Sequence, residues 1–361
     1  MARDYQFIDI AAKGDGIVAA AFDNQVAYCT ASGAAITARI CAALRDLIEA
    51  GEPGTLFDTI RAWPGAPLAD ALPLRVAGGL HALHLKGAEP ELSAIYEGHQ
   101  GLDDAAIVAR AIRKHEAALL PWLDGPPQTN EAGRSANFIA AMLWLADKGL
   151  PTRFQCLEIG SSAGINLMLD RYHYDLGGVQ VGPEAGAMRF KPDWEGSPPP
   201  DRAIDIAATR GCDVAPVDLT DAEQALRLKA YIWPEHTVRF ERMEAAVAEA
   251  RKKAPDLVHK NAADFVEAEL ARPQDPGTTR LLMHSIVWQY VPEDQQQRVT
   301  AAMEAAGAAA TPERPLAWVS LEANRIMHLH EMTVRYWPGG EEPVVVTRAH
   351  PHGAWINWLA G

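Results

Sequence analysis

The stretch Leu157-Glu158-Ile159-Gly160-Ser161-Ser162-Ala163-Gly164-Ile165 holds the residues best suited to chemistry. It closes a predicted strand, Phe154 to Ile159, and opens a predicted helix, Ala163 to Tyr172. Helix starts expose unpaired N–H groups, and glycines let a ligand come close to the backbone. The dinucleotide fingerprint asks for glycine at 160, 162 and 165, and only Gly160 is present. Gly160-x-Ser162-x-Gly164 also has the spacing of a nucleophile elbow, with His350 or His352 downstream as the order Ser, acid, His requires. An elbow follows several sheet strands, whereas the chain before it here reads as helical, and Gly78-Gly79 sits inside a helical pattern rather than an oxyanion loop.

Other clusters carry reactive groups. Gln128 to Arg134 combines an amide, the Glu131 carboxylate and the Arg134 guanidinium. Glu131 and Arg134, three residues apart, can act together or simply pair at a capped helix start. His284-Ser285-Ile286-Val287-Trp288-Gln289-Tyr290 follows a predicted strand, Arg280 to His284. Ligands of open α/β sheets bind beyond the carboxyl ends of strands. Trp288 and Tyr290 could wall a pocket there, and His284 or Gln289 could orient or deprotonate a nucleophile. A buried histidine beside core aromatics is the plainer alternative. Arg171, at a helix end, fits the helix dipole. His328-x-His330 and His350-x-His352 have strand spacing for a shared ion, and His81 and His84 have helix spacing, but no carboxylate or third histidine completes a set, so no metal is expected. His352 can instead line a pocket mouth.

These residues need elements to hold them. Before residue 150 the patterns are helical: Ile36 to Ile48, a helix from about Pro73, one opening at Asp103-Asp104, and one from Glu131 to Lys148 capped by Asn130. After Pro151, strands alternate with helices. Predicted strands are Leu257–Lys260, Arg280–His284, Leu316–Leu321, Met332–Trp337 and Val344–Thr347. Predicted helices are Asp221–Tyr231, Thr237–Lys253, Ala262–Arg272 and Glu293–Ala306. That alternation implies a parallel sheet covered on both faces. Pro338-Gly339-Gly340 is too short for a parallel crossover and predicts a terminal antiparallel strand. Pro183 to Pro200 reads as a loop-rich insertion. The expected organisation is α/β: an all-helical domain over 1–150, read as a cap for substrate, and a Rossmann-like domain over 151–361.

With this order of elements, the Gly160 turn resembles motif I of class I S-adenosylmethionine-dependent methyltransferases, acid-x-Gly-x-Gly-x-Gly. Glu158, Gly160 and Gly164 match, and Ser162 stands at the middle glycine. The resemblance implies that Glu158 accepts a hydrogen bond from the cofactor's ammonium group, directly or through water. It implies an acid for the ribose hydroxyls at the end of the second strand, Asp213 or alternatively Asp218. It implies Asp264 for the adenine amino group, and a place beside the pocket for Gln128, Glu131 and Arg134. Helix caps and solvated loop charges are the alternatives for each acid. Over nearly its full length the chain resembles an uncharacterised bacterial family, domain of unknown function 2332. The matching stretches are Ala71 to Arg75, Gln128 to Arg134, the Gly160 turn, Asp170 to Tyr172, Trp233-Pro234-Glu235, and His352 to Trp355. That family supplies no reaction; it implies a methyltransferase-like core.

Composition narrows the partners. The chain has 361 residues, 33 Lys plus Arg and 47 Asp plus Glu, for a net charge of −14, which disfavours nucleic acid and points to a small molecule. No run long enough to span a membrane occurs, and the start at Met1 lacks a signal-peptide pattern. Four cysteines without a Cys-x-x-Cys pair fit a reduced cytoplasmic setting. The expected function is methyl transfer from S-adenosylmethionine to a small or medium acceptor. The alternatives are a non-catalytic ligand sensor and, further off, a serine hydrolase using Ser162.

Overall fold

A computed structural model describes residues 17–327 and 329–360; Met1 and His328 lie outside them. In chain order the helices and strands begin with α1 (Ile17–Ala31), α2 (Ala35–Glu49), α3 (Thr55–Arg61), α4 (Leu72–Leu85), α5 (Pro90–Tyr96), α6 (Asp104–Leu119) and α7 (Ser135–Asp147). There follow β1 (Arg153–Ile159), β2 (His173–Leu176), β3 (Val179–Val181), β4 (Arg189–Phe190), β5 (Asp193–Glu195) and β6 (Asp205–Asp213). The rest are α8 (Ala222–Ala230), α9 (Thr237–Lys252), β7 (Leu257–His259), α10 (Ala262–Leu270), β8 (Thr278–Ser285), α11 (Glu293–Ala308), β9 (Leu316–Asn324), β10 (Leu329–Trp337), β11 (Gly340–Ala349) and β12 (Trp355–Trp358).

Two compact units result, 1–129 with 221–241, and 130–220 with 242–361. This division differs from a single cut at 150 because α7 packs on the sheet, and because the segment around α8 closes the helical unit. In the helical unit, Leu44, Leu56, Phe57, Ile60, Leu80 and Ile112 form one buried core. α1, α3 and α5 lie in stretches where no helix was expected. Asp103 caps α6 as expected, its side chain accepting from Ala106 N. Glu235 completes the start of α2: its carboxylate accepts from Ile36 N at 2.5 Å, Thr37 N at 3.1 Å and Thr37 Oγ1 at 3.0 Å. A carboxylate on unpaired N–H groups also meets the positive end of the helix dipole.

The second unit is a nine-stranded sheet in the order β7-β6-β1-β8-β9-β10-β11-β12-β5. β7, β6, β1, β8 and β9 run parallel, and the β9–β10, β10–β11 and β11–β12 pairs are antiparallel. The architecture is therefore the expected α/β sheet, mainly parallel, with an antiparallel run at one end. β5 and β12 pair inside what read as loop, and β2, β3 and β4 form a separate small sheet within the 151–200 stretch. From β1 the chain builds outward through β6 and β7, then returns to β8 and β9 on the other side. The strand order thus reverses between β1 and β8, the kind of position beside whose strand carboxyl ends open α/β sheets bind ligands.

One face lies under α10 and α11, where Leu157, Ile159, Leu282, Phe265, Val299 and Met303 share a core. The other face carries α7, whose Asn137 Oδ1 accepts from Thr347 Oγ1 at 3.1 Å. The helix expected from Ala163 is a 3₁₀ stretch, Ile165–Arg171, with a break at Met168. Gly164, at φ +70°, and the capture of Ile165 N by Asn130 set its tight start. The four cysteines are free and buried. Among the described residues no helix is long and apolar enough to cross a membrane.

Candidate functional site

Glu158 is the penultimate residue of β1, opposite Gly211 of β6 and Met283 of β8. Its neighbours Leu157 and Ile159 face α10 and α11. Strand alternation therefore turns the Glu158 side chain to the α7 face. It is 2% exposed. Its Oε1 accepts from Asn166 Nδ2 at 3.3 Å, while Oε2 and the neighbouring Asn166 Oδ1 are buried with no hydrogen-bond partner. Burial pushes the Glu158 carboxyl up to about 7. Ser161, Asn166 and the Arg134 charge pull it down, and the Asp213 charge adds to the rise. A buried acceptor left unpaired is costly, and each of these two could take a further donor.

The turn after β1 holds Gly160 at φ +65° and Ser162 at φ +52°. Ser162 thus takes the left-handed conformation that a middle glycine would favour. The space beside the glycines is used by the chain itself. A Cβ at 160 would lie 2.2 Å from Val287 Cγ2, and one at 164 would lie 2.9 Å from Pro255 Cβ. Asp213, expected at ribose hydroxyls, pins this turn to β6: Oδ2 accepts from Ser162 N at 2.7 Å and Oδ1 from Ala215 N at 2.8 Å. Carboxylate oxygens have further lone pairs, so that pinning leaves room for another donor. Asp218 binds its own loop at Thr220.

Beside Glu158 two distant stretches interlock. Glu131 is buried and its Oε1 accepts from Gly133 N at 3.1 Å and Arg242 Nη1 at 3.2 Å. Arg134 Nε donates to the Pro351 carbonyl at 2.9 Å, and Nη1 reaches the Ser285 carbonyl and hydroxyl at 3.4 and 3.5 Å. A Cβ at Gly353 would lie 2.4 Å from the Gly133 carbonyl oxygen, so the two backbones cross in direct contact. His352 N donates to His350 Nδ1 at 3.1 Å, and the His352 carbonyl accepts from Arg242 at 3.4 Å. Glu131, Arg134 and His352 therefore do converge. Asn130, expected to cap its own helix, has its Oδ1 on Ile165 N at 2.9 Å. Gln128 falls among the last residues of the helical unit's first segment.

His330, at the start of β10, is a side chain the sequence offered only as half of a metal pair. It is buried, and burial first, then the Arg134 charge, pushes it down to about 4. Its partner in that pattern, His328, lies outside the described residues. Among the described residues no three His, Cys, Asp or Glu side chains could hold a metal ion.

His284 sits on the opposite face and is bound on both ring nitrogens. Its Nδ1 lies 2.7 Å from Glu322 Oε1, and its Nε2 accepts from Trp318 Nε1 at 3.0 Å. Indole only donates, so Nε2 is the acceptor and Nδ1 is the donor to Glu322. The proton-accepting role expected of His284 finds no vacant nitrogen in this arrangement. Trp288 stacks on that ring at 5.1 Å and packs in the core of the α10/α11 face. Gln289 Oε1 accepts from Arg325 at 2.9 Å on the surface, and Tyr290 is 70% exposed. Asp264 lies in the first turn of α10, bound to Asn261 and ion-paired with Arg298 at 2.7 Å. Arg171 donates to the Glu249 and Lys253 carbonyls at the end of α9, not to its own helix. Sequence reasoning missed Asn166, Glu322 and Arg242. Each is ordinary in local context and is defined only by what lies opposite.

No curated protein matches the chain. One solved structure, the DhpI-SAM-HEP complex, is similar at 12% identity and a TM-score of 0.21, over 60% of this chain and 64% of that one. The chain thus spans just under two thirds of that structure's length. Residues 19–358 match the family described as uncharacterized protein conserved in bacteria (DUF2332), and the chain belongs to that family.

Proposed function

We propose that the chain binds S-adenosylmethionine at the turn after β1 and directs its methyl group to a small acceptor. The observation that carries this reading is the pair of buried, unpartnered acceptors, Glu158 Oε2 and Asn166 Oδ1, at the strand-order reversal. They fit a ligand ammonium group, which would give both oxygens a donor and relieve the desolvated carboxylate. Asp213, at the adjoining strand end, would add a ribose contact while still holding Ser162 N. When bound, the cofactor supplies an electrophilic methyl group on sulfonium. The chain's own task is positional. Arg134 and His352 would orient the acceptor, and Glu131 holds Gly133 N and Arg242 beside them. Orientation and exclusion of water can carry much of the catalysis for a good nucleophile.

A sensing role is the second reading, favoured by the engagement of both His284 nitrogens and by the packing of Val287 against Gly160. The hydrolase reading loses support from strand order, since the Ser162 turn follows the first strand of the sheet in the chain. Titration calorimetry with S-adenosylmethionine and S-adenosylhomocysteine tests the proposal. Both should bind, and Glu158→Gln should weaken binding about 10- to 100-fold, the worth of a charge-assisted hydrogen bond. Absence of binding by either ligand refutes it. Binding without methylation of any component of a metabolite extract moves the reading to sensing.

A further inference from the structure

We propose that Glu322 is the positioning residue of the site: it holds the segment after β8 so that Val287 forms an apolar wall against the Gly160 turn. The inference deepens the adenosyl-ligand reading and rests on it for its functional consequence. Its geometry stands on the chain alone.

One carboxylate oxygen gathers three donors. Glu322 Oε1 lies 2.7 Å from His284 Nδ1 and accepts from Val287 N at 3.2 Å and Trp288 N at 3.3 Å. His284 is in turn fixed by Trp318 Nε1 on its other nitrogen and by Trp288 stacked on its ring. The carboxylate is thus aimed by a buried, doubly bound imidazole, much as an outer group orients a ligand-binding side chain. Between them Ile286 takes φ +53°, a conformation that β-branched residues avoid, with its N–H on the Leu321 carbonyl at 2.9 Å. Such strain persists only where surrounding bonds impose it. Glu322 supplies two of those bonds on the very next residues. The reversal at Ile286 delivers Val287 across the end of the sheet, where its methyl groups fill the space that a side chain at 160 would occupy.

The consequence is a wall set from β9 for a turn that belongs to β1. A ligand lying along that turn would pack against Val287, and its dissociation would depend on how firmly Glu322 holds the segment. Gln in place of Glu keeps an oxygen for the three donors; Ala removes it.

The test compares Glu322→Ala, Glu322→Gln and Val287→Ala with the wild type. Hydrogen exchange of the Val287 and Trp288 amides in ligand-free protein should quicken about 10-fold or more in Glu322→Ala and stay near wild type in Glu322→Gln. S-adenosylhomocysteine should dissociate faster from Glu322→Ala and from Val287→Ala, with Glu322→Gln restoring the wild-type rate. Unchanged exchange at the two amides in Glu322→Ala overturns the proposal. So does faster exchange with unaltered dissociation, which would make Glu322 merely structural. If the wild type binds no adenosyl ligand, the methyl-transfer reading fails, and the exchange result still decides whether Glu322 holds the segment.

Discussion

Replacing Glu158 with Gln isolates the cost of the buried carboxylate. In the folded chain its carboxyl titrates at about 7, against an ordinary 4.5, chiefly because burial disfavours the charge. Below pH 4.5 the group is protonated in both folded and unfolded chains and has no effect on stability. Between 4.5 and 7 the unfolded chain releases its proton while the folded chain keeps it. Stability therefore falls as pH rises through that window and levels off above it. The gap, at about 1.4 kcal/mol per pH unit, is worth about 3 kcal/mol. Glu158→Gln removes the titrating group, so its stability relative to wild type should climb by that amount from pH 4.5 to pH 8. Urea unfolding of both proteins at pH 5, 6, 7 and 8 measures it, and other titrating groups cancel in the difference. A ligand ammonium would reverse the burial effect, so at pH 6 adenosyl-ligand binding should release close to one proton. Calorimetry in buffers of different ionisation enthalpy reads that release. A wild-type-minus-variant difference that stays flat with pH would refute the reasoning, because it would mean that water already reaches Oε2.

Three further outcomes follow from named contacts. His81 and His330 are pushed down to about 4, mainly by burial. Each is neutral when folded and protonated when unfolded below pH 6.5, so stability should fall with pH between 6.5 and 4, opposite in sign to Glu158. His330→Gln should flatten that limb in thermal melts across the range, and an unaltered slope counts against it. Gly353→Ala puts a Cβ 2.4 Å from the Gly133 carbonyl at φ +69° and should cost more than about 2 kcal/mol; a melting temperature within a degree of wild type would contradict the interlock. Ser162→Gly relieves a left-handed residue at φ +52° and should keep both fold and adenosyl-ligand binding, whereas loss of an esterase activity present in wild type would revive the nucleophile reading.

The parallel sheet and its antiparallel end were legible because strand and helix periods alternate after Pro151 and the Pro338-Gly339-Gly340 loop permits only a hairpin. The short strands β2 to β5 and β12 carry too few residues for a period to register. α7 reads as continuous with the helices before it, because a helix stripe does not say which surface it will cover. Trp233-Pro234-Glu235 stood out in the sequence without a reason. The structure supplies one, since Glu235 meets Ile36 N 199 residues away. No local pattern holds that distance, nor the 217 residues between Arg134 and Pro351.

The same limit explains why residue type ranked the site poorly. Glu158, Asp213 and His284 lie at the ends of strands and Asp264 at the start of a helix, and by spacing alone each can be chemical. Their partners separate them. Asp264 is spent on Asn261 and Arg298, His284 on Glu322 and Trp318, and Asp213 first on two backbone N–H groups. Only Glu158 among them keeps a buried oxygen with nothing to bind, and Asn166 beside it keeps another. Folding alone gains nothing from such a pair, since an apolar residue of similar size would fill the space without the desolvation cost. A donor from outside the chain would recover that cost. The unsatisfied atoms are therefore a stronger pointer to a ligand than the glycines, whose space Val287 and Pro255 already use.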